Sequence, residues 1–188
     1  MKNYLILPAL SVIFFVACKG EKDSETKDES PISALGIIKG QLNRLDTSLY
    51  AITKYETSDH TTDSVYLKRE EIRKYVAPFL SLPEIADKNY YKNYTEEKII
   101  DAQQQTLNIT STAKNEDAEI QRQILIIDMA DISNGKVQSI FIDRYIPSAD
   151  STIEQKLFWE IDKSFSISNI VEKENQPEKT HYLRITWQ

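Results

Sequence analysis

Residues 120–129 read IQRQILIIDM, and this stretch decides the expected fold of the chain. Its branched apolar residues are typical of a β-strand. Successive side chains of a strand alternate between two faces, which places Ile124 and Ile126 on one face. Leu125 and Ile127 would lie on the other. Apolar residues on both faces predict a strand that is buried on both sides and therefore central in a sheet.

The same two-residue period continues on both sides of this stretch and predicts six strands. They are expected at residues 106–110, 120–129, 137–146, 153–161, 165–171 and 183–187. Turn sequences separate several of them, such as Ser-Asn-Gly at 133–135. Because strands joined by short turns run antiparallel, we expect these six to form an antiparallel meander.

The region before the strands has the spacing of helices. Apolar residues recur in steps of three and four at Leu35, Ile38, Leu42, Leu45, Leu49 and Ile52. This stripe predicts a helix that ends near Glu56, with Ser33 as its N-cap. A second helix is predicted over residues 68–82, with a kink or frayed end at Pro78. The stripe could serve a coiled-coil partner, but packing on a sheet is favoured.

These elements together predict an α+β fold, in which N-terminal helices pack on an antiparallel meander sheet of about six strands. Residues 32–188 would form this single domain. A formal charge of −6 over 188 residues, without a basic patch, argues against nucleic-acid binding. The single cysteine excludes an internal disulfide.

The N-terminus has the parts of a secretory signal. Lys2 is followed by the apolar residues 4–17, which as a helix would rise about 21 Å, less than the roughly 30 Å hydrocarbon core of a bilayer. The sequence Phe-Val-Ala-Cys at 15–18 resembles the lipobox of bacterial lipoproteins. The resemblance implies that residues 1–17 are a signal peptide and that Cys18 carries acyl chains inserted in a lipid bilayer. The alternative is an ordinary signal peptide with an incidental cysteine.

Residues 18–31 would connect this anchor to the domain. Eight of the thirteen residues from 19 to 31 are charged and none is bulky and apolar, which predicts a flexible tether. Its acidic residues are similar to the export signals that place lipoproteins of the Bacteroidota on the cell surface. The resemblance implies a lipid-anchored location in the cell envelope, most simply the outer membrane. A plain solubilising spacer is the alternative to surface display.

The search for catalytic and metal-binding residues predicts neither. His60 falls in a polar linker, and His181 on the last strand has no carboxylate or second histidine at ligand spacing. Asp131 and the Asn-Gly at 134–135 share part of a calcium-loop pattern, but its middle ligand and distal Glu are missing. We therefore expect no enzyme activity, no metal and no cofactor.

Four aromatic residues are candidates to face a ligand. Tyr90, Tyr91 and Tyr94 lie close together in the sequence, and Phe141 lies on a predicted strand. A pocket between helices and sheet could bring them together. The alternative for the tyrosines is an amphipathic seal, with rings on the core and hydroxyls in water.

Two tripeptides are similar to the sequon for O-glycosylation in Bacteroidota. Asp-Ser-Val at 63–65 and Asp-Ser-Thr at 150–152 make Ser64 and Ser151 the candidate acceptors, in predicted loops or loop edges. Asn108 matches an N-glycosylation pattern, which we interpret as strand propensity. Taken together, the sequence predicts a non-enzymatic envelope lipoprotein that acts as a protein-interaction module or accessory subunit. A small-ligand-binding lipoprotein is the alternative.

Overall fold

The computed structural model describes residues 31–58, 61–130, 136–148 and 150–188. Its three α-helices are Ala34–Thr47 (α1), Ile72–Leu80 (α2) and Lys88–Tyr91 (α3). Its nine strands are Ile52–Ser58 (β1), Thr61–Leu67 (β2), Tyr94–Asp101 (β3), Thr106–Ala113 (β4), Ile120–Asp128 (β5), Val137–Pro147 (β6), Ser151–Glu160 (β7), Ser164–Lys173 (β8) and Lys179–Trp187 (β9). Within these ranges, no helix combines the length and the apolar character needed to cross a bilayer.

All nine strands belong to one antiparallel sheet, in the order β2-β1-β9-β8-β7-β6-β5-β4-β3. From β3 to β9 the chain is a meander, in which each strand pairs with the next. The β1–β2 hairpin then joins the sheet through β9, since Ile52 of β1 lies opposite Trp187 of β9. The sheet therefore has two edges within the described residues, β2 and β3.

The predicted α+β fold, with N-terminal helices packed on a six-strand meander, is wrong. The molecule is mainly one nine-stranded sheet with few short helices, because β1, β2 and β3 were not recognised as strands. The apolar stripe misled the assignment of β1. Helix α1 ends at Thr47, and the backbone N–H of Ser48 bonds to the carbonyl of Leu45. Leu49 is 99% exposed, and Ile52 is buried within β1 rather than on a helix.

The strand predicted at residues 120–129 is present as β5, Ile120–Asp128, but its predicted position at the centre of the sheet is only partly met. Strand β5 is interior but has β4 and β3 outside it, and β7 is the middle strand. Leu125 and Ile127 are buried, whereas Ile124 and Ile126 are partly exposed. The second face of β5 is therefore only partly covered.

The core lies on one face of the sheet, which we call the helix face. Phe79 of α2 packs edge-on against Trp159, with ring centroids 5.3 Å apart, and against Phe165 at 5.6 Å. Trp159 also stacks on Phe165 at 5.2 Å. Helix α1 adds its buried stripe to the same cluster. Its N-cap is Ser33, whose Oγ accepts the N–H of Gly36. We call the opposite side of the sheet the open face.

Candidate functional site

The β2 edge of the sheet is the most exposed regular element of the described chain. Six of its seven residues are exposed, including Val65 at 50% and Tyr66 at 80%. Asp63 is its only charged residue. The register with β1 runs without a bulge from Ile52 opposite Leu67 to the end of the hairpin. Because β2 is the last strand on this side, its outward N–H and C=O groups have no neighbouring strand among the described residues.

The two faces of β2 differ in what they present. Val65 lies opposite Lys54 of β1, which in turn lies opposite Ile185, so Val65 belongs to the helix face. Alternation then places Asp63 on the helix face, and Ser64 and Tyr66 on the open face. Near the turn, the hydroxyls of Thr57 and Thr62 are 2.9 Å apart across the hairpin. The edge is therefore a regular, mostly uncharged strand ready for a neighbour.

The β3 edge on the opposite side of the sheet is mostly charged. Glu96, Glu97, Lys98 and Asp101 make up half of its eight residues. Lys98 forms an ion pair with Glu96 at 3.5 Å. Charged side chains on an edge strand oppose the addition of another strand. Ile100, 62% exposed, is the most exposed apolar residue of this edge.

A cluster of charged residues joins β1 to β9. Glu56 accepts from Lys54 Nζ at 2.6 Å, and its other oxygen lies 2.8 Å from His181 Nε2. Hydrogen bonds from Lys54, and then from His181, lower the pKa of Glu56 below its ordinary value. The bond to Glu56 raises the pKa of Lys54. This cluster reinforces the pairing that attaches the hairpin, and the carboxylate next to His181 was missed because the two residues are distant in sequence.

Beyond the aromatic core, the helix face ends in a row of polar side chains that we call the polar row. Strand pairing aligns one residue from each of β1, β9, β8, β7 and β6: Ser58, His181, Asn169, Gln155 and Arg144. Gln155 donates to Asn169 Oδ1 at 2.8 Å and accepts from Arg144 at 3.3 Å. Arg144 also pairs with Glu119 at 2.5 Å. Arg144, Gln155 and Asn169 are therefore linked to one another by hydrogen bonds within the row.

The structure does not bring the four candidate aromatic residues together. Tyr94 is buried on the helix face, where its hydroxyl donates to the carbonyl of Ile120 at 3.0 Å. Burial raises the pKa of this hydroxyl. Tyr90 is exposed and Tyr91 is partly buried. Ile140 of β6 lies on the same face as Tyr94, as the strand registers from β3 to β6 show. Phe141 follows Ile140 in the sequence and therefore lies on the open face.

Two of these tyrosines do share a surface groove of about 420 Å³. Its lining includes Tyr90, Tyr94, Lys92 and Lys114. Lys114 Nζ donates to the backbone carbonyl of Lys92 at 2.9 Å, so this ammonium is already engaged. Phe141 is separate from this groove and lies beneath the guanidinium of Arg122, 5.7 Å from the ring centroid. The predicted pocket between helices and sheet is occupied by the aromatic core.

The candidate glycosylation residues lie apart from one another. Ser64 is in the middle of β2 and exposed, so it lies on a strand and not in the predicted loop. Ser151 is the first residue of β7, with its Oγ 2.9 Å from the Oγ of Ser148. Asn108 is on β4. Cys18 lies outside the described residues, as do the signal and the tether up to residue 30.

Metal and catalytic predictions are partly outside the described residues. His60, Asp131 and the Asn-Gly turn lie outside the described residues. In the described part of the chain, no group of three or more His, Cys, Asp or Glu is arranged to hold a metal ion. Asp143, which follows the Asn-Gly turn on β6, pairs with Arg122 at 2.8 Å.

The comparisons with known proteins add no relationship. No protein-family model matches the chain, and no curated protein or solved structure matches it significantly.

Proposed function

We propose that this protein is a non-enzymatic lipoprotein of the cell envelope, anchored through Cys18, that binds a protein partner through the β2 edge. The observation that carries this proposal is the exposure of a regular, almost uncharged edge strand beside a well-packed sheet. The anchor sets the location, most simply the outer membrane of a Bacteroidota-type envelope. The folded domain supplies the binding surface.

The chemistry of the β2 edge supports protein binding. Its outward backbone groups form a template for an added strand, as in β-strand addition. Natural edge strands are commonly protected by Lys, Pro, bulges or a covering element. In β2 the sequence Thr-Thr-Asp-Ser-Val-Tyr-Leu contains neither Lys nor Pro, and its pairing with β1 has no bulge. An edge that is left open in this way is well suited to receive a partner.

The sequence around Cys18 supports the membrane anchor. The only cysteine of the chain follows directly after a small residue at the end of an apolar signal-like segment. Two or three acyl chains give stable anchoring, whereas a single chain binds only marginally. The segment 19–30, in which most residues are charged, would then hold the domain, which the structure describes from residue 31, at a distance from the bilayer.

The arrangement of polar groups favours a binding role over an enzymatic one. The most reactive-looking pair, Glu56 with His181, is held by Lys54 and stabilises a strand junction. Gln155 and Arg144 are engaged within the polar row. Phe141 and Tyr94 lie on opposite faces of the sheet, which argues against the alternative of one ligand pocket lined by both.

The anchor is tested by labelling cells with a traceable fatty acid. We expect the wild-type chain to take up label and to sediment with membranes. Cys18→Ser should lose both the label and the membrane association. If the variant keeps as much label as the wild type, or stays in the membrane fraction, the anchor proposal fails.

The binding surface is tested by photo-crosslinking in intact membranes. A photoreactive amino acid replaces Tyr66 on the β2 edge or, as a matched control, Ile100 on the β3 edge, since both side chains are well exposed. We expect a discrete protein adduct from position 66 and little from position 100. The absence of any protein adduct at position 66, identified by mass spectrometry, would overturn the proposed binding function.

A further inference from the structure

We infer that the partner at the β2 edge is a second copy of this chain. Two copies pair antiparallel about a two-fold axis that passes beside Ser64 and continue one sheet into the next. This inference rests on the proposed function, because it assumes that the β2 edge binds a protein. It adds the identity of the partner and the register of the contact.

The sequence of β2 is complementary to itself in this register. Residues at equal distances from Ser64 lie opposite each other, so both members of each pair point to the same face. Tyr66 of each copy then lies against Thr62 of the other, and Asp63 against Val65. Aromatic side chains opposite β-branched ones are among the stabilising cross-strand pairs. The ring of Tyr66 therefore packs against a threonine of the other copy, and this contact occurs twice, once on each side of the axis.

Neighbouring registers are less favourable. An axis at Asp63 would place two carboxylates directly opposite each other, and like charges in that position are destabilising. An axis at Val65 would place Tyr66 against Ser64, which offers the ring no methyl group. Only the axis at Ser64 keeps the single charge away from its copy and also pairs the tyrosine with a threonine.

The self-pairing is favoured over a different protein by symmetry and by location. A two-fold interface needs one surface patch that fits itself, and β2 meets this requirement. All copies would be tethered to the same membrane. The seven residues of β2 are far fewer than the roughly 20–30 residues per side of a standard interface, so the contact should be weak in free solution. Confinement on a membrane raises the effective concentration and compensates for this weakness.

The register is tested by disulfide crosslinking of the full-length, membrane-bound protein. Ser64→Cys introduces one free thiol, since the thiol of Cys18 is consumed by its acyl anchor. Residues directly opposite on paired strands lie within disulfide reach. We expect Ser64→Cys to give a covalent dimer under mild oxidation, while Glu97→Cys in the middle of the β3 edge stays monomeric. Equal dimer yields from the two positions would overturn the inference.

A charge exchange tests whether Ser64 really faces its own copy. Donor and acceptor dyes are attached through Lys173→Cys, an exposed position away from the edge, and energy transfer is measured in vesicles of native lipid. Ser64→Lys alone and Ser64→Asp alone should each reduce the transfer, by up to about fivefold, because like charges meet at the axis. A mixture of the two variants should restore the transfer. Loss without restoration in the mixture would overturn the register.

The outcomes separate this inference from the proposed function. An adduct between position 66 and a different envelope protein would overturn the self-pairing and leave the proposed function standing. An intact mass showing a sugar on Ser64 would also overturn the self-pairing, because a glycan would block the edge. The absence of every protein adduct would overturn the proposed function itself.

Discussion

The two edges of the sheet are protected to different degrees. The β3 edge carries four charged residues among eight, and its first residue, Tyr94, is buried and bonded to the backbone of β5. The β2 edge carries only Asp63 and is held mainly by pairing with β1. The comparison indicates that the two edges differ in their readiness to accept another strand. The charges of β3 oppose strand addition, whereas β2 remains available for it.

The largest expected effect is a loss of stability of the whole sheet, which affects both edges. Trp159→Ala should destabilise the fold by about 3–5 kcal/mol, because the indole is fully buried between Phe79 and Phe165. Denaturant unfolding followed by circular dichroism measures the change. Phe158→Ala, the adjacent but partly exposed residue on the open face, is the matched control and should cost less. Equal losses of stability in the two variants would contradict the assignment of the core to the helix face.

The second effect should reach the β3 edge only. Tyr94→Phe removes the buried hydrogen bond to the Ile120 carbonyl and should cost about 0.5–1.5 kcal/mol. Amide hydrogen exchange should become faster in β3 while β2 stays unchanged. Tyr55→Phe is the control, because Tyr55 of β1 is 37% exposed, and it should leave hydrogen exchange in both edges unchanged. Faster exchange in β2 would show that the edges are coupled.

The third effect should reach the attachment of the β2 hairpin and depend on pH. The lowered pKa of Glu56, caused by Lys54 and then His181, stabilises the fold above the unfolded-state pKa of about 4.3. That contribution is lost as the pH falls through the lower folded-state value. Because these side chains are partly exposed, Glu56→Gln should cost no more than about 1 kcal/mol at pH 7.

The same variant provides its own control at low pH. When the carboxyl of Glu56 is protonated, the wild type loses the charge that the glutamine lacks, so the two urea midpoints should converge. Urea titrations at pH 7 and at pH 3 measure this convergence. A difference that persists unchanged at pH 3 would show that charge is not the reason for the effect.

The smallest effect on stability should exchange the behaviour of the two edges. Ser64→Lys protects β2, and Glu97→Thr removes a charge from β3; each should change stability by less than about 0.5 kcal/mol. Light scattering of shaken samples should show slower association for the first variant and faster association for the second. The opposite order would contradict the distinction between the edges.

Local sequence predicts the strands whose one face is buried in the core. Strands β4 to β9 fall where apolar alternation places them, and Ser33 caps α1 as expected. Alternation works there because a covered face selects every second residue to be apolar. Asp162 at the β7–β8 turn has φ 61°, which its polar side chain tolerates, and the turn is found where the sequence suggests it.

The three missed strands lack that signal for physical reasons. Both sides of β2 are in water, so its threonines and Ser64 show no apolar period. Strand β3 is charged because it is an edge. Strand β1 continues the spacing of α1 by coincidence, through Leu49 and Ile52. The β2 edge, which we propose as the binding surface, was missed for the same reason, since an edge is defined by which strands lie beside it. The alternating Thr-Lys-Tyr-Glu-Thr at 53–57 is the signal that could have indicated a strand.

The seam between β1 and β9 has a consequence for how the protein is made. Glu56 and His181 meet across this seam although they are 125 residues apart in the chain. The hairpin that leaves the ribosome early has no docking strand until β9 has been synthesised, and such long-range pairing makes folding slow. A nascent chain cut before β9 would expose the unpaired edges of β1 and β8 to proteases and chaperones, so the sheet is completed only when synthesis ends.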